Sequence, residues 1–492
     1  MDFFSVLSMI GGLALFLYGM HVMGDGLSKV SGGKMEKILE GLTSNPLKAV
    51  GLGALVTAVI QSSSATTVMV VGFVNSGIMK LSQAVGVIMG ANIGTTITSW
   101  ILSLSGIESD SFFIQMFKPT SFSPILAIIG VAFLLFAKSE KKKDIGTIFL
   151  GFAVLMFGMD SMSAAVKPLA DVPEFTGILT AFSNPILGML AGALLTAVIQ
   201  SSSASVGILQ ALCVTGAVSY SVAIPIILGQ NIGTCVTALL SAIGAKKNAK
   251  RAAMVHLYFN IIGTTVFLIV FYGLNMVLHF EFLGQAADAA GIAVAHSAFN
   301  IFATAILLPF SSGLEKLACL TIRDEEETEP QSEAAQLLDV RFLEKPAFAM
   351  EQSRNAAKKM AEASKESLFT ALSMLGDYRE ADAERVVAEE NNVDEYEDAL
   401  GSYLVKLGQK DLNVHDSRDL SIILHCIGDF ERISDHAVNI MESAKELHEK
   451  DLRFSEKALE ELKVISKAVV DIVNISYDVF ENTNIESAKK VE

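Results

Sequence analysis

GALVTAVIQSSSA at residues 53–65 returns as GALLTAVIQSSSA at residues 192–204, and Val56 against Leu195 is the single difference in those 13 positions. The offset of 139 residues then holds in both directions without a gap. Asn45-Pro46 meets Asn184-Pro185, the GANIGT from Gly90 meets the GQNIGT from Gly229, and Gly19-Met20 meets Gly158-Met159. The chain contains a duplicated unit, and a repeat has to be read before any fold class. In each copy a polar QSSS interrupts an apolar run, where an amide and three hydroxyls are costly unless they find partners.

Charge divides the 492 residues in two. Residues 1–320 carry 16 Lys and Arg against 14 Asp and Glu; residues 321–492 carry 21 against 39, and together these give the net charge of −16. The first part has apolar runs of about 20 residues, the length of a bilayer-crossing helix. The second has the charge density of a soluble helical domain, and neither is basic enough for a nucleic-acid partner. Cys213, Cys235, Cys319 and Cys426 show no paired spacing, so neither a disulfide framework nor a zinc site follows from them. The first 20 residues lack the basic start of a secretory signal and read as a membrane helix.

Full crossings are expected at about 3–28, 83–105, 119–137, 145–166, 221–244, 252–278 and 289–310. The QSSS segments, about 46–76 and 185–216, are long enough for two half-length helices but not for two crossings. Both read as re-entrant hairpins with QSSS at the tip. With the N-terminus outside, three basic clusters fall on the cytoplasmic side, as the positive-inside rule requires. They are Lys29, Lys34, Lys37 and Lys48; Lys138, Lys141, Lys142 and Lys143; and Lys246, Lys247, Lys250 and Arg251. An odd number of crossings per unit inverts the second copy, so the hairpins enter from opposite faces and their tips meet near the midplane, as in inverted-repeat transporters. Broken backbone at that depth is tolerated where it is buried in protein or lines a cavity.

The fold expected is therefore an all-α polytopic membrane protein with inverted-topology repeats and two re-entrant helical hairpins, followed by a cytoplasmic helical bundle. A transport domain spans 1–316, with repeat units at about 1–138 and 140–310; an acidic linker spans 317–345, and the bundle spans 346–492. In the bundle, Leu420, Ile423, Leu424, Ile427, Phe430, Ile433, Ala437 and Ile440 form one apolar stripe, with similar stripes near 348–376, 380–408 and 455–480.

A break between half-helices offers hydroxyl and carbonyl oxygens for a hard cation, and free N–H groups at a helix N-terminus for an oxyanion. The candidate binding residues are Gln61, Ser62, Ser63, Ser64, Thr66, Asn92 and Thr95, with Gln200, Ser201, Ser202, Ser203, Asn231 and Thr234 in the second copy. No acidic residue lies in either hairpin, which favours Na⁺ over a carboxylate proton relay. His256 and Asn260 recur as His296 and Asn300, a spacing that suggests an interhelical hydrogen-bond clamp.

QSSSATT at 61–67 and QSSSAS at 200–205, each followed by NIGT, resemble the type II sodium/phosphate cotransporter family over about residues 1–310. The resemblance implies symport of inorganic phosphate with Na⁺ across the cytoplasmic (inner) membrane, with the two tips forming the phosphate and sodium sites and no enzymatic activity. Ser205-Val206 stands where the first copy has Thr66-Thr67, so the two halves need not hold equivalent ion sites. The run from Asp429 to Ile440, DFERISDHAVNI, is similar to the PhoU family of phosphate-signalling proteins. That likeness implies a PhoU-like regulatory bundle and a divalent or iron-type metal held by Glu390, Asp394, Asp429 and Asp435. A homodimer is compatible with this reading. Two alternatives stay open: a phosphate or other oxyanion channel or exporter gated by the tail, and a membrane-anchored phosphate-signalling scaffold.

Overall fold

The computed structural model describes residues 3–31, 45–106, 118–168, 172, 177, 182–323, 333–482 and 485–491. Lys34 and Lys37 of the first basic cluster lie outside the described residues. The chain divides into two compact units, residues 1–326 and 327–492. Both are helical, and no strand occurs among the described residues.

Helix α1 spans Phe3–Ser31. The first hairpin follows as α2 (Pro46–Ile60) and α3 (Ser63–Asn75). Asn45 starts it: its side-chain oxygen accepts from the amides of Leu47 and Lys48, and Pro46 occupies the first turn, where a missing N–H costs nothing. Helices α4 (Leu81–Ser103), α5 (Pro119–Phe136) and α6 (Glu140–Val166) lead to the second hairpin, α7 (Pro185–Ile199) and α8 (Ser202–Cys213). Asn184 and Pro185 repeat the same start there. Helices α9 (Tyr220–Ser241), α10 (Lys247–Leu278), α11 (Ala289–Leu307) and α12 (Ser311–Thr321) complete the unit.

Six helical stretches among the described residues are long and apolar enough to cross a membrane. The seventh expected crossing, α5, is an 18-residue helix grouped with the shorter apolar ones. Its rise of about 27 Å falls just under a ~30 Å hydrocarbon core. The four hairpin helices are shorter still, at 12 to 15 residues, as half-crossings should be.

Inversion of the repeat is visible where α1 packs on α6, its counterpart at the 139-residue offset. A Cβ added at Gly19 would sit 2.2 Å from the Leu155 backbone nitrogen, and one at Gly158 would sit 2.2 Å from that of Phe16. Gly12 likewise faces Met162, and Gly151 faces Met23. Residue numbers rise on one helix as they fall on the other, so equivalent helices of the two copies run antiparallel. The contacts also exchange under the offset, as a pseudo-two-fold axis requires. Glycines at this spacing let the backbones touch, the means by which helices associate in lipid.

Within each half the hairpin is carried by the long helix after it. Gly90 of α4 lies against the Val50 carbonyl of α2, and Gly229 of α9 lies against the Met189 carbonyl of α7. The halves then interlock: α3 packs on α9 as well as on α4, and α8 packs on α4 as well as on α9.

The second unit consists of α13 (Pro346–Met374), α14 (Glu380–Leu407), α15 (Val414–Glu449) and α16 (Glu456–Asn482). Ala371, Val386, Ala437 and Met441 are among the buried residues of its core. Parts of the expected linker among the described residues are helical. Residues 317–321 belong to α12, and the turn Val340–Glu344 buries Phe342 and Leu343. Phe342 stacks edge-on against Phe348.

Candidate functional site

The break in each hairpin is a left-handed glutamine. Gln61 has φ 59° and ψ 24°, and Gln200 has φ 58° and ψ 23°. They are two of four non-glycine residues with positive φ among the described residues. A left-handed L-residue costs roughly 1–2 kcal/mol, and strain repeated at equivalent positions points to function. In each case the backbone N–H closes the preceding helix on a threonine carbonyl, Thr57 at 2.8 Å and Thr196 at 2.7 Å.

The next residue starts the second half-helix. Ser62 Oγ accepts from the Ala65 amide at 3.1 Å, and Ser201 Oγ accepts from the Ala204 amide at 3.2 Å. Ser62 and Ser201 are thus helix caps, each with its hydroxyl oxygen already engaged. The first backbone bonds of α3 and α8 are Thr66 N–H to Ser62 and Ser205 N–H to Ser201. The amides of Ser63, Ser64, Ser202 and Ser203 therefore precede the bonded turn or face the cap, at the positive end of a helix dipole. Between the halves, Ser64 Oγ donates to the Gln200 carbonyl at 3.5 Å. The two tips meet.

They meet in unequal states. Thr98 donates to Gln61 Oε1 at 2.9 Å, and Gln61 Nε2 donates to the Ala58 carbonyl. Thr57 donates to Thr66 Oγ1 at 3.1 Å, and Thr66 to the Ser62 carbonyl at 3.0 Å. Gln61 is 8% exposed. The counterparts in the second copy are Gln200, Thr196, Ser205 and Thr237. Gln200 is exposed, and the hydroxyls of Thr196, Ser205 and Thr237 are buried with no hydrogen-bond partner among the described residues. Gln230 Nε2 donates to the Ser205 carbonyl at 3.0 Å, while its Oε1 is also unpartnered.

The NIGT residues take a different place. Asn92 and Asn231 donate to the Ile88 and Ile227 carbonyls at 3.0 Å each, and Thr95 and Thr234 to those of Ala91 and Gln230. All four are buried and bonded back into their own helices. Thr57, Thr98 and Gln230, with the counterparts Thr196 and Thr237, are not among the residues the sequence singles out, although Thr57/Thr196 lie inside the repeated word and Thr98/Thr237 sit at the same offset; their partners Gln61 and Thr66 are. The His–Asn pairs do make interhelical hydrogen bonds, but to α4 and α9. His296 Nδ1 bonds Ser99 of α4 at 2.7 Å, and Asn260 donates to Cys235 of α9 at 3.3 Å.

In the tail, Glu390 and Asp394 are raised above the usual carboxylate range, first by burial and then by neighbouring acids, Asp435 among them. Asp429 pairs with Arg432 at 4.0 Å. No group of three or more metal-ligating side chains occurs among the described residues, so the four proposed ligands are not gathered into a metal cage.

Residues 15–164 and 154–303 each match the model of the Na⁺/Pi-cotransporter family, and residues 357–444 match the PhoU domain. Along nearly its whole length the chain is similar to YjbB of Escherichia coli, 26% identical over 496 residues, which cover 99% of this chain and 87% of that protein. YjbB of Salmonella typhimurium is also 26% identical, over 494 residues with the same coverage; both are named as candidate inorganic phosphate export proteins. The sodium-dependent phosphate transport protein 2A of Rattus norvegicus is 37% identical over 99 residues, 20% of this chain and 15% of that protein. No solved structure matches the chain.

Proposed function

The chain belongs to the Na⁺/Pi-cotransporter family, and from that premise we propose that its membrane unit carries inorganic phosphate coupled to Na⁺ through the two QSSS tips. The observation that carries the reading is the contact of Ser64 with Gln200, which joins two oppositely inserted half-helix starts into one polar centre. Phosphate is taken by the free amides at the starts of α3 and α8 with the hydroxyls of Ser63, Ser64, Ser202 and Ser203. Na⁺ is taken in the second copy, where Thr196, Ser205 and Thr237 present hydroxyl oxygens beside Gln200. A buried polar group without a partner costs about 1–3 kcal/mol, and a cation coordinated by these oxygens offsets that cost. Asn92, Thr95, Asn231 and Thr234 then act by holding α4 and α9 against the tips.

The inequality of the tips fits alternating access. Two halves that share the repeated QSSS word hold one tip bonded and the other open, and exchanging those states moves the site from one face to the other. In the proposed orientation the N-terminus is outside and the basic residues Lys138, Lys141, Lys142, Lys143, Lys246 and Lys247 are cytoplasmic, as is the PhoU-like regulatory tail. A divalent or iron-type metal in that tail would need Glu390, Asp394 and Asp435 to close together, with Asp429 paired to Arg432.

The test is uptake of labelled phosphate into proteoliposomes under an imposed Na⁺ gradient. Uptake that saturates and stops when Na⁺ is replaced by K⁺ supports symport; unchanged uptake without Na⁺ removes the coupling. Export is the second reading, supported by the names of the two near-full-length relatives. Vesicles loaded with phosphate and lacking a Na⁺ gradient would lose it faster than protein-free vesicles if export is the direction.

A further inference from the structure

A second polar assembly lies outside the tips. Helices α10 and α11 carry the same triplet at four-residue spacing: His256, Asn260 and Thr264 on one, His296, Asn300 and Thr304 on the other. All six are buried, between 0% and 5% exposed. Each has a polar atom with no partner among the described residues: both ring nitrogens of His256, Nε2 of His296, Oδ1 of each asparagine and Oγ1 of each threonine. The asparagine orientation is not arbitrary. Asn260 Nδ2 donates to the His256 carbonyl at 3.0 Å and Asn300 Nδ2 to the His296 carbonyl at 2.9 Å, so the side-chain carbonyls are the free ends.

Packing orders the six. An added Cβ at Gly263 would meet Ala303 Cβ at 3.0 Å, and Phe267 meets the Phe299 ring edge-on at 5.4 Å between centroids. The pair is therefore antiparallel, with Thr264 and Thr304 at nearly one level. Along the pair the order is His256, Asn260, Thr264 with Thr304, Asn300, His296, a file about 21 Å long at 1.5 Å per residue. Each threonine follows its contact residue by one position, a turn of about 100°, and on antiparallel helices those turns lead to the same side. Ser99 of α4 and Cys235 of α9 stand on that side, bonded to His296 and Asn260.

We propose that this ridge is a file of bound water molecules that carries protons between His256 and His296, a path separate from the QSSS tips. Successive side chains on one helix are about 6 Å apart, the gap that a single water bridges with two hydrogen bonds. The unpartnered atoms include donors as well as acceptors, which water satisfies together and a bare cation or anion does not. No Asp, Glu, Lys or Arg occurs on α3, α4, α8, α9 or α11 to balance a resident ion. Cys235 is the titratable group that α9 presents to the ridge, and none comes from α4. Toward the His256 end stands Arg251, bonded to the Ile322 carbonyl just beyond α12, the helix that carries Glu315, Lys316 and Cys319. In each hop a histidine accepts a proton on one ring nitrogen and releases one from the other. The ring returns to its first tautomer before the next hop, so one proton crosses and no group is consumed.

The experiment uses full-length protein in vesicles with a trapped pH dye and a K⁺ diffusion potential, with Na⁺ and phosphate omitted so that the outcome is independent of the transport proposed above. Wild type is expected to acidify the lumen faster than protein-free vesicles do. The His256→Gln/His296→Gln double variant, if it elutes like wild type, is expected to fall to the protein-free rate. Should that variant misfold, Thr264→Val keeps the side-chain shape, removes the central hydroxyl and is expected to slow the flux. Wild-type flux no faster than protein-free vesicles overturns the proposal, and so does undiminished flux in a folded variant.

Discussion

Replacing each hairpin glutamine by glycine separates the two tips energetically. At Gln200 the change removes a left-handed L-residue, worth roughly 1–2 kcal/mol, against about 0.5–1 kcal/mol of extra glycine entropy. No side-chain hydrogen bond of Gln200 is lost, because none is made among the described residues. Gln200→Gly should therefore leave stability unchanged or raise it by up to about 1.5 kcal/mol. At Gln61 the same relief comes with loss of the Thr98 bond, which strands a buried hydroxyl at a cost of about 1–3 kcal/mol. Gln61→Gly should be the less stable by roughly 1–3 kcal/mol, a separation of a few degrees in Tm at about 2 °C per kcal/mol for a unit this large. Cys213 and Cys235 are buried free thiols, so a thiol-reactive dye reports unfolding of the membrane unit. Both variants should lose phosphate transport, since strain held at a working site trades stability for activity. Equal Tm shifts in the two variants would refute the asymmetry of the tips.

Gly158→Ala places a methyl 2.2 Å from the Phe16 nitrogen; overpacking of this kind costs about 1–3 kcal/mol or more, and a thermal shift larger than that of Gly51→Ala, which has open space, would show it. In the tail, Glu390 and Asp394 have raised pKa values, so the folded bundle holds their protons more tightly than the unfolded chain. Stability is then greatest in acid and declines as pH rises from the unfolded values through the folded ones. Asp394→Asn should slow amide exchange across α14 and α15 at neutral pH and do little at a pH where the carboxyl is already protonated. A slowing equal at both pH values would count against the cause given.

The repeated word, the length of the apolar run on either side of it and the odd number of crossings make both hairpins and their inversion legible in the chain. Antiparallel packing of Gly19 on Leu155 and of Gly158 on Phe16 expresses that inversion in three dimensions. What the sequence hides is the difference between equivalent positions. Thr57 and Thr196 occupy the same place in the same word, yet one is bonded to Thr66 and the other faces an unpartnered Ser205. A conformational state is a property of packing, and two copies of one word in different surroundings can hold two states at once. Ser62 and Ser201 illustrate a second limit: a serine before a helix is a cap and a ligand candidate alike, and their bonds to Ala65 and Ala204 use the oxygen as a cap while leaving the O–H to donate. The His–Asn spacing was visible, but Thr264 and Thr304 were not recognised as its continuation, and facing helices were expected to bond each other. The actual partners, Ser99 and Cys235, come from α4 and α9, whose approach depends on tertiary packing.

The most direct measurement is cross-linking of Ser64→Cys with Gln200→Cys, in a background where the four native cysteines are replaced. Rapid disulfide formation under mild oxidation, with or without phosphate and Na⁺, is the expected result for two tips that converge on one site. Failure of the pair to cross-link in the folded, membrane-embedded protein, with or without these ions, would mean that the serine tips do not share a site.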